Sequence, residues 1–171
     1  MSYPRKEYNP DQPKKYWSLQ EAKLKIAAYC AYQERSQEEV RKKLTERGVH
    51  GEHAEELISN MIEGGFLNEE RFTMAFVRGK YRLKKWGRKK IIQELKFRKI
   101  SPNCIKSGMK EIDEDEYWHI LLSQAEKKWD LIKEKDPMIK RYKLQQYLIG
   151  RGFEIDLIQM AIEEMISGKK L

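Results

Sequence analysis

Ser36-Gln37-Glu38-Glu39-Val40-Arg41-Lys42-Lys43-Leu44-Thr45-Glu46-Arg47-Gly48-Val49 is the stretch on which the fold turns. Ser36 and Glu39 have the spacing of a capping box, in which a hydroxyl and a carboxylate each take an orphan amide at a helix start. Val40 and Leu44 follow at the i, i+4 spacing of one helical face. Gly48 ends the helix as a left-handed cap, the conformation glycine adopts most readily. At an offset of 51 residues, Val40, Leu44 and Val49 become Ile91, Leu95 and Ile100; a further 53 residues on, they become Leu144, Leu148 and Phe153. The closing pairs Arg47-Gly48, Arg98-Lys99 and Arg151-Gly152 stay in register, as do Ala54, Ile105 and Ile158, and Ile58, Met109 and Ile162. A repeat of about 50 residues is small for an independent core, so each copy is expected to lean on its neighbours.

Outward from that stretch, helix signals fill each copy. Ser18-Leu19-Gln20-Glu21 is another capping box, followed by Ala22, Ile26 and Tyr29. A third helix carries Ala54, Leu57, Ile58 and Met61 and stops at Gly64-Gly65. The fourth runs from Glu69 to about Lys85 behind Asn68, and the fifth carries Ile91, Ile92 and Leu95. Ser101-Pro102 reads as an N-cap with proline at the first helical position, where its missing amide costs nothing. A long helix runs from about Glu114 to Lys133. Asp136-Pro137 starts the next, four residues earlier than the repeat requires, which predicts one extra turn. The last helix spans about Ile155 to Ile166. The expected fold is all-α: a flexible arm over 1–17, then three-helix repeats over 18–65, 66–112 and 113–171.

The chain has 171 residues, of which 36% are charged and 40% belong to the hydrophobic set, with a net charge of +8. That balance supports a packed core and argues against wholesale disorder. No apolar run is long enough for a membrane span. Residues 1–17 are polar, with Pro4, Pro10 and Pro13, and lack the apolar stretch of a signal peptide; the expected compartment is the cytosol. The charge is concentrated: residues 66–112 hold 14 basic and 4 acidic groups, net +10, so the middle repeat carries more than the whole surplus. A one-signed field of this kind points to a polyanion or an acidic protein surface.

The cluster runs from Arg78 to Lys99, with Glu94 its sole acidic member. Arg78, Arg82, Lys84, Lys85, Arg88, Lys89 and Lys90 are the candidate binding residues. On the fourth helix, Phe72, Phe76, Gly79 and Leu83 make one apolar face, while Met74, Val77 and Tyr81 make a second stripe inside the basic one. That second stripe either packs on a neighbouring repeat or leaves Tyr81 exposed to stack on a base or a partner side chain. If about five of these cations met phosphates of a single strand, log affinity would fall with log salt by about 3.5.

No catalytic constellation is visible. His50 and His53 flank Gly51 at a helix start and read as solvent-exposed loop residues rather than a metal site. Cys30 and Cys104 fall on apolar faces and read as small buried residues. No P-loop or dinucleotide fingerprint is present. No metal and no cofactor is expected.

Three segments carry a family likeness: Arg35-Ser36-Gln37-Glu38-Glu39-Val40 with Lys43-Leu44 and Arg47-Gly48; Gly65-Phe66-Leu67-Asn68-Glu69-Glu70-Arg71-Phe72; and Trp86-Gly87 with Ile91, Glu94, Leu95 and Ile100. Tyr147-Leu148-Ile149-Gly150-Arg151-Gly152-Phe153 adds a fourth. On these the chain resembles the RecX family, bacterial regulators of the RecA recombinase, over about residues 18–168. Phe97-Arg98-Lys99 departs from the Lys-Gly or Arg-Gly ending that the family often has there. The resemblance implies tandem three-helix modules in an elongated, curved body. It also implies binding to RecA assembled on DNA, with inhibition of ATP hydrolysis, strand exchange and RecA-stimulated repressor cleavage, and so tuning of recombination and the SOS response. DNA contact would be weak or made within the filament, and a monomer is expected. Two other readings are an independent DNA-binding module, with Gln93 and Arg98 its thin base-reading set, and a metal-dependent nuclease, for which Glu94 is the lone acidic group within the basic stretch.

Overall fold

The computed structural model describes residues 15–169, and among them the regular structure is helical, with no strand. The helices are α1 (Leu19–Tyr32), α2 (Gln37–Glu46), α3 (Glu52–Glu63), α4 (Glu69–Arg82), α5 (Arg88–Phe97), α6 (Pro102–Met109), α7 (Glu114–Leu131), α8 (Pro137–Gly150) and α9 (Ile155–Lys169). Local chemistry sets most of the starts. Ser18 with Glu21, and Ser36 with Glu39, close both halves of their capping boxes. Asn68, Ser101, Asp113 and Asp136 each accept a backbone N–H from the first turn of α4, α6, α7 and α8. Helix α8 has 14 residues against 10 in α2 and in α5, the extra turn expected from the early Asp136-Pro137.

Two details differ from the sequence expectation. Helix α4 ends at Arg82 and not near Lys85, and Lys85 has φ of 56°. After α5, Lys99 takes the left-handed conformation, with φ of 55°, where the other two repeats place Gly48 and Gly152.

The chain divides into two compact units, Met1–Leu67 and Asn68–Leu171. In the first, Ala22, Ile26, Val40, Leu44, Val49, Ala54, Leu57, Ile58, Met61 and Leu67 form a core of their own. Of the arm expected over 1–17, residues 1–14 lie outside the described residues. Trp17 docks: its N–H donates to the Arg47 carbonyl at 3.0 Å, and the Arg47 guanidinium lies 5.4 Å from its ring centroid.

In the second unit α4 to α9 share one continuous core. Val77, Tyr81, Ile91 and Leu95 belong to it together with Tyr117, Leu121, Leu144, Leu148, Phe153 and Ile158. The second and third repeats therefore meet through buried apolar surface. At about 25 cal/mol per Å² of such surface, burial is the dominant favourable term in folding.

Candidate polyanion-binding surface

The loop between α4 and α5 and the first turn of α5 together carry the densest run of cations, and their backbone is pinned to the turn between α8 and α9. Gly87 donates its N–H to the Arg151 carbonyl at 2.8 Å, and Lys89 donates to the Gly152 carbonyl at 2.9 Å. The Arg151 guanidinium returns hydrogen bonds to the carbonyls of Lys84 and Lys85. A Cβ on Gly87 would lie 2.2 Å from the Gly152 carbonyl carbon, so the two backbones meet only because residue 87 has no side chain.

Arg88 completes the junction. Its backbone N–H donates to the Tyr117 hydroxyl at 2.9 Å, and that hydroxyl donates to Glu154 Oε2 at 2.7 Å. The Arg88 guanidinium pairs with Glu154 at 3.1 Å and Glu114 at 2.7 Å and lies 4.0 Å from the Tyr117 ring centroid. Burial works against the guanidinium charge, and the two carboxylates outweigh it, so the Arg88 pKa rises. Burial first, and the bond to Glu154 second, push the Tyr117 phenol well above its ordinary value. Arg88, one of the expected polyanion-binding residues, fastens the second repeat to the third.

The other arginines are also committed. Arg78 pairs with Glu111 at 3.2 Å, Arg82 with Glu116 at 3.1 Å, and Arg98 with Glu94 at 2.6 Å. Carboxylates more than 30 positions away in sequence thus face Arg78 and Arg82, which correct the picture of a cluster answered by Glu94 alone. Tyr81 is a correction as well. It is 0% exposed, and its hydroxyl donates to Glu116 at 2.9 Å, so it has no face to offer a base. Its stripe packs inward, the first of the two readings, while Leu83, placed on the other apolar face, is 81% exposed.

The lysines remain displayed. Lys84, Lys89 and Lys96 are exposed and Lys85 is half-buried, and among the described residues none of their ammonium groups has a carboxylate partner. Lys90 lies 4.5 Å from the Trp86 ring centroid, a contact that leaves its charge unneutralised. Of the expected site, Lys84, Lys85, Lys89 and Lys90 are brought together around one backbone-anchored turn, Arg78 and Arg82 stand half-exposed in surface ion pairs, and Arg88 and Tyr81 pack into the junction of the second and third repeats. Lys96 joins the displayed set; its spacing of seven from Lys89 puts both on one side of α5.

Of the remaining candidates, His50 and His53 are exposed. Cys30 is buried; Cys104 is half-buried, its thiol 3.5 Å from the Glu69 carboxylate. Among the described residues no group of three or more His, Cys, Asp or Glu side chains is placed to hold a metal ion. No described helix is long and apolar enough to cross a membrane.

Comparison with known proteins agrees with this architecture. Family models for the first, second and third three-helix domains of RecX match residues 22–60, 68–109 and 114–162. The chain belongs to the RecX family. A regulatory protein RecX from Pelodictyon phaeoclathratiforme is 31% identical over 131 residues, covering 77% of this chain and 80% of that one. One from Prosthecochloris aestuarii is 27% identical, covering 81% of this chain and 89% of the relative. The RecX of Bacillus cytotoxicus is 25% identical, and there the match covers 86% of this chain but 54% of the longer relative. The crystal structure of RecX from Lactobacillus salivarius has the same fold, with a TM-score of 0.74, 23% identity and coverage of 86% of this chain and 96% of that one. The relatives are named as regulatory proteins.

Proposed function

We propose that this RecX protein binds RecA assembled on DNA and restrains it by occupancy, lowering ATP hydrolysis, strand exchange and repressor cleavage, and so acts in control of recombination and the SOS response. The observation that carries the surface is the division of labour within the basic stretch. Its arginines stand in ion pairs, while Lys84, Lys85, Lys89 and Lys90 stand without carboxylate partners around a turn whose backbone is anchored by hydrogen bonds. A main chain already held in place need not be ordered when its lysines meet an anion, so an anchored lysine turn suits a phosphate backbone or an acidic protein face. Phosphate contacts hold without reading sequence, as a filament on arbitrary DNA requires. Several modest contacts spread over linked repeats would add avidity without a large single interface. Such a protein needs no catalytic group, and a cytosolic monomer fits the role.

The test is a titration of RecA, ATP and single-stranded DNA with the parent protein and with the triple variant Lys84→Glu, Lys85→Glu, Lys89→Glu. The parent is expected to suppress ATP hydrolysis at or below stoichiometric amounts, and the variant to need at least tenfold more. Equal potency removes the lysine loop from the interface, and no suppression by the parent overturns the function. Gel shifts on naked and RecA-coated DNA separate this reading from an independent DNA binder. That alternative has lost part of its base-reading set, because Arg98 is tied to Glu94 and lies over the Phe76 ring.

A further inference from the structure

The third repeat carries a second surface that the shared architecture does not require. Helices α7 and α8 are 18 and 14 residues long, against 14 and 10 for their counterparts α4 and α5. Where α7 ends and α8 begins, Leu131 is 72% exposed, Met138 81% and Tyr142 61%. Beside them opens a cavity of about 470 Å³, walled by Leu131, Ile132, Tyr142 and Tyr147 and rimmed by Lys128, Lys133 and Lys143.

Charge is segregated here too. Residues 127–143 hold 7 of the 10 basic groups of the third repeat and 3 of its 12 acidic ones. The third repeat is therefore negative as a whole and positive at this end. Two of these cations lie over aromatic faces and not against carboxylates: Lys128 is 4.7 Å from the Tyr147 centroid and Lys140 4.4 Å from that of Trp129. Lys133 is exposed with no carboxylate partner among the described residues. Lys143 does pair with Glu134, at 3.0 Å.

We infer that this groove binds an acidic peptide segment of a partner protein, with an apolar side chain seated between Tyr142 and Tyr147 and carboxylates meeting the lysine rim. Apolar walls with a cationic edge match a chain that alternates acidic and apolar residues, and charge complementarity sets its orientation. A nucleic acid would use the lysines and stack bases on Tyr142 or Tyr147, but would leave Leu131 and Ile132 wet. The inference does not rest on the RecA reading, since it concerns different residues on a different repeat.

The probe is a fluorescein-labelled peptide of about twelve residues alternating Asp or Glu with Leu and Phe, titrated with the full-length protein by fluorescence anisotropy. A matched peptide with Ser in place of Leu and Phe reports charge alone. The expected result is saturable binding that weakens about tenfold or more, close to 1.4 kcal/mol, with the Ser peptide, with Leu131→Ser plus Tyr142→Ser, and with Lys128→Glu plus Lys133→Glu. Lys84→Glu with Lys89→Glu should bind as the parent does. Circular dichroism confirms that each variant is folded, and because all but one of the substituted groove residues are exposed, the two pairs give independent readings. Absence of saturable binding overturns the inference, as does equal affinity for both peptides. Groove variants that bind like the parent overturn it too. Displacement of the peptide by a single-stranded oligonucleotide whose own affinity falls in the Lys128 and Lys133 variant would make the groove a phosphate site instead.

Discussion

Tyr117 ties the second repeat to the third within the second unit. Its hydroxyl accepts from the Arg88 amide and donates to Glu154, and its ring packs against Phe153 at a centroid distance of 5.5 Å. Tyr117→Phe keeps the ring, leaves the Arg88 amide without its acceptor and leaves Glu154 with the Arg88 guanidinium alone. It should cost about 1–3 kcal/mol, read as a lower urea midpoint at unchanged slope. The protonation of these side chains sets the pH limits of stability. The Tyr117 and Tyr81 phenols are held above their ordinary value of 10.0, so the unfolded chain releases those protons first. Stability is therefore complete below that value and declines as pH rises past it. Glu116 behaves oppositely: bonds from Arg82 and Tyr81 hold it below the ordinary 4.5, so its contribution is present above that pH and is lost as pH falls below it. Denaturation midpoints across pH should show both declines, with the alkaline one shallower in Tyr117→Phe and the acid one shallower in Glu116→Gln. None of this was legible from the sequence. Tyr117 and Glu154 are 37 positions apart, and no local pattern distinguishes a tyrosine that bridges two repeats from one that merely fills a face.

At the level of helices and turns, caps were legible because their chemistry is local. Ser36 is fully buried, and both halves of its box with Glu39 are made. Ser36→Ala should lower stability by about 1 kcal/mol, measurable by thermal melting. The second repeat's turn offers the opposite experiment. Lys99 adopts a left-handed conformation that strains a side chain, so Lys99→Gly should raise stability by up to about 1 kcal/mol in the same assay. The end of α4 was not legible, because nothing between Lys80 and Lys85 breaks a helix. The stop combines a local turn, in which the Trp86 N–H returns to the Lys80 carbonyl at 3.0 Å behind the left-handed Lys85, with a tertiary one, in which Arg151 captures the carbonyls of Lys84 and Lys85. The same short helix explains Leu83. A face projected at 100° per residue loses its meaning once the chain has left the helix.

Across the chain, the threefold repeat and the basic middle were both readable, since periodicity and net charge survive without coordinates. The fate of each cation was not, because an ion pair depends on which carboxylate folding delivers. That distinction can be measured. Removing three displayed lysines with Lys84→Gln, Lys85→Gln and Lys89→Gln should flatten the salt dependence of single-stranded DNA binding by about 2 in log–log slope, whereas Arg82→Gln should leave the slope nearly unchanged and lower stability instead. The equivalent turns Arg47-Gly48 and Arg151-Gly152 have one further consequence. Each receives an incoming amide, from Trp17 in the first unit and from Gly87 in the second. The first clasp closes within the first unit, between the residue just ahead of the first repeat and that repeat's own turn, while the second is handed from one copy to the next. The molecule should therefore not be divisible into thirds: a piece ending at residue 67 keeps its fastening, and a piece ending at residue 112 leaves Gly87, Arg88 and the two lysine carbonyls with nothing to hold.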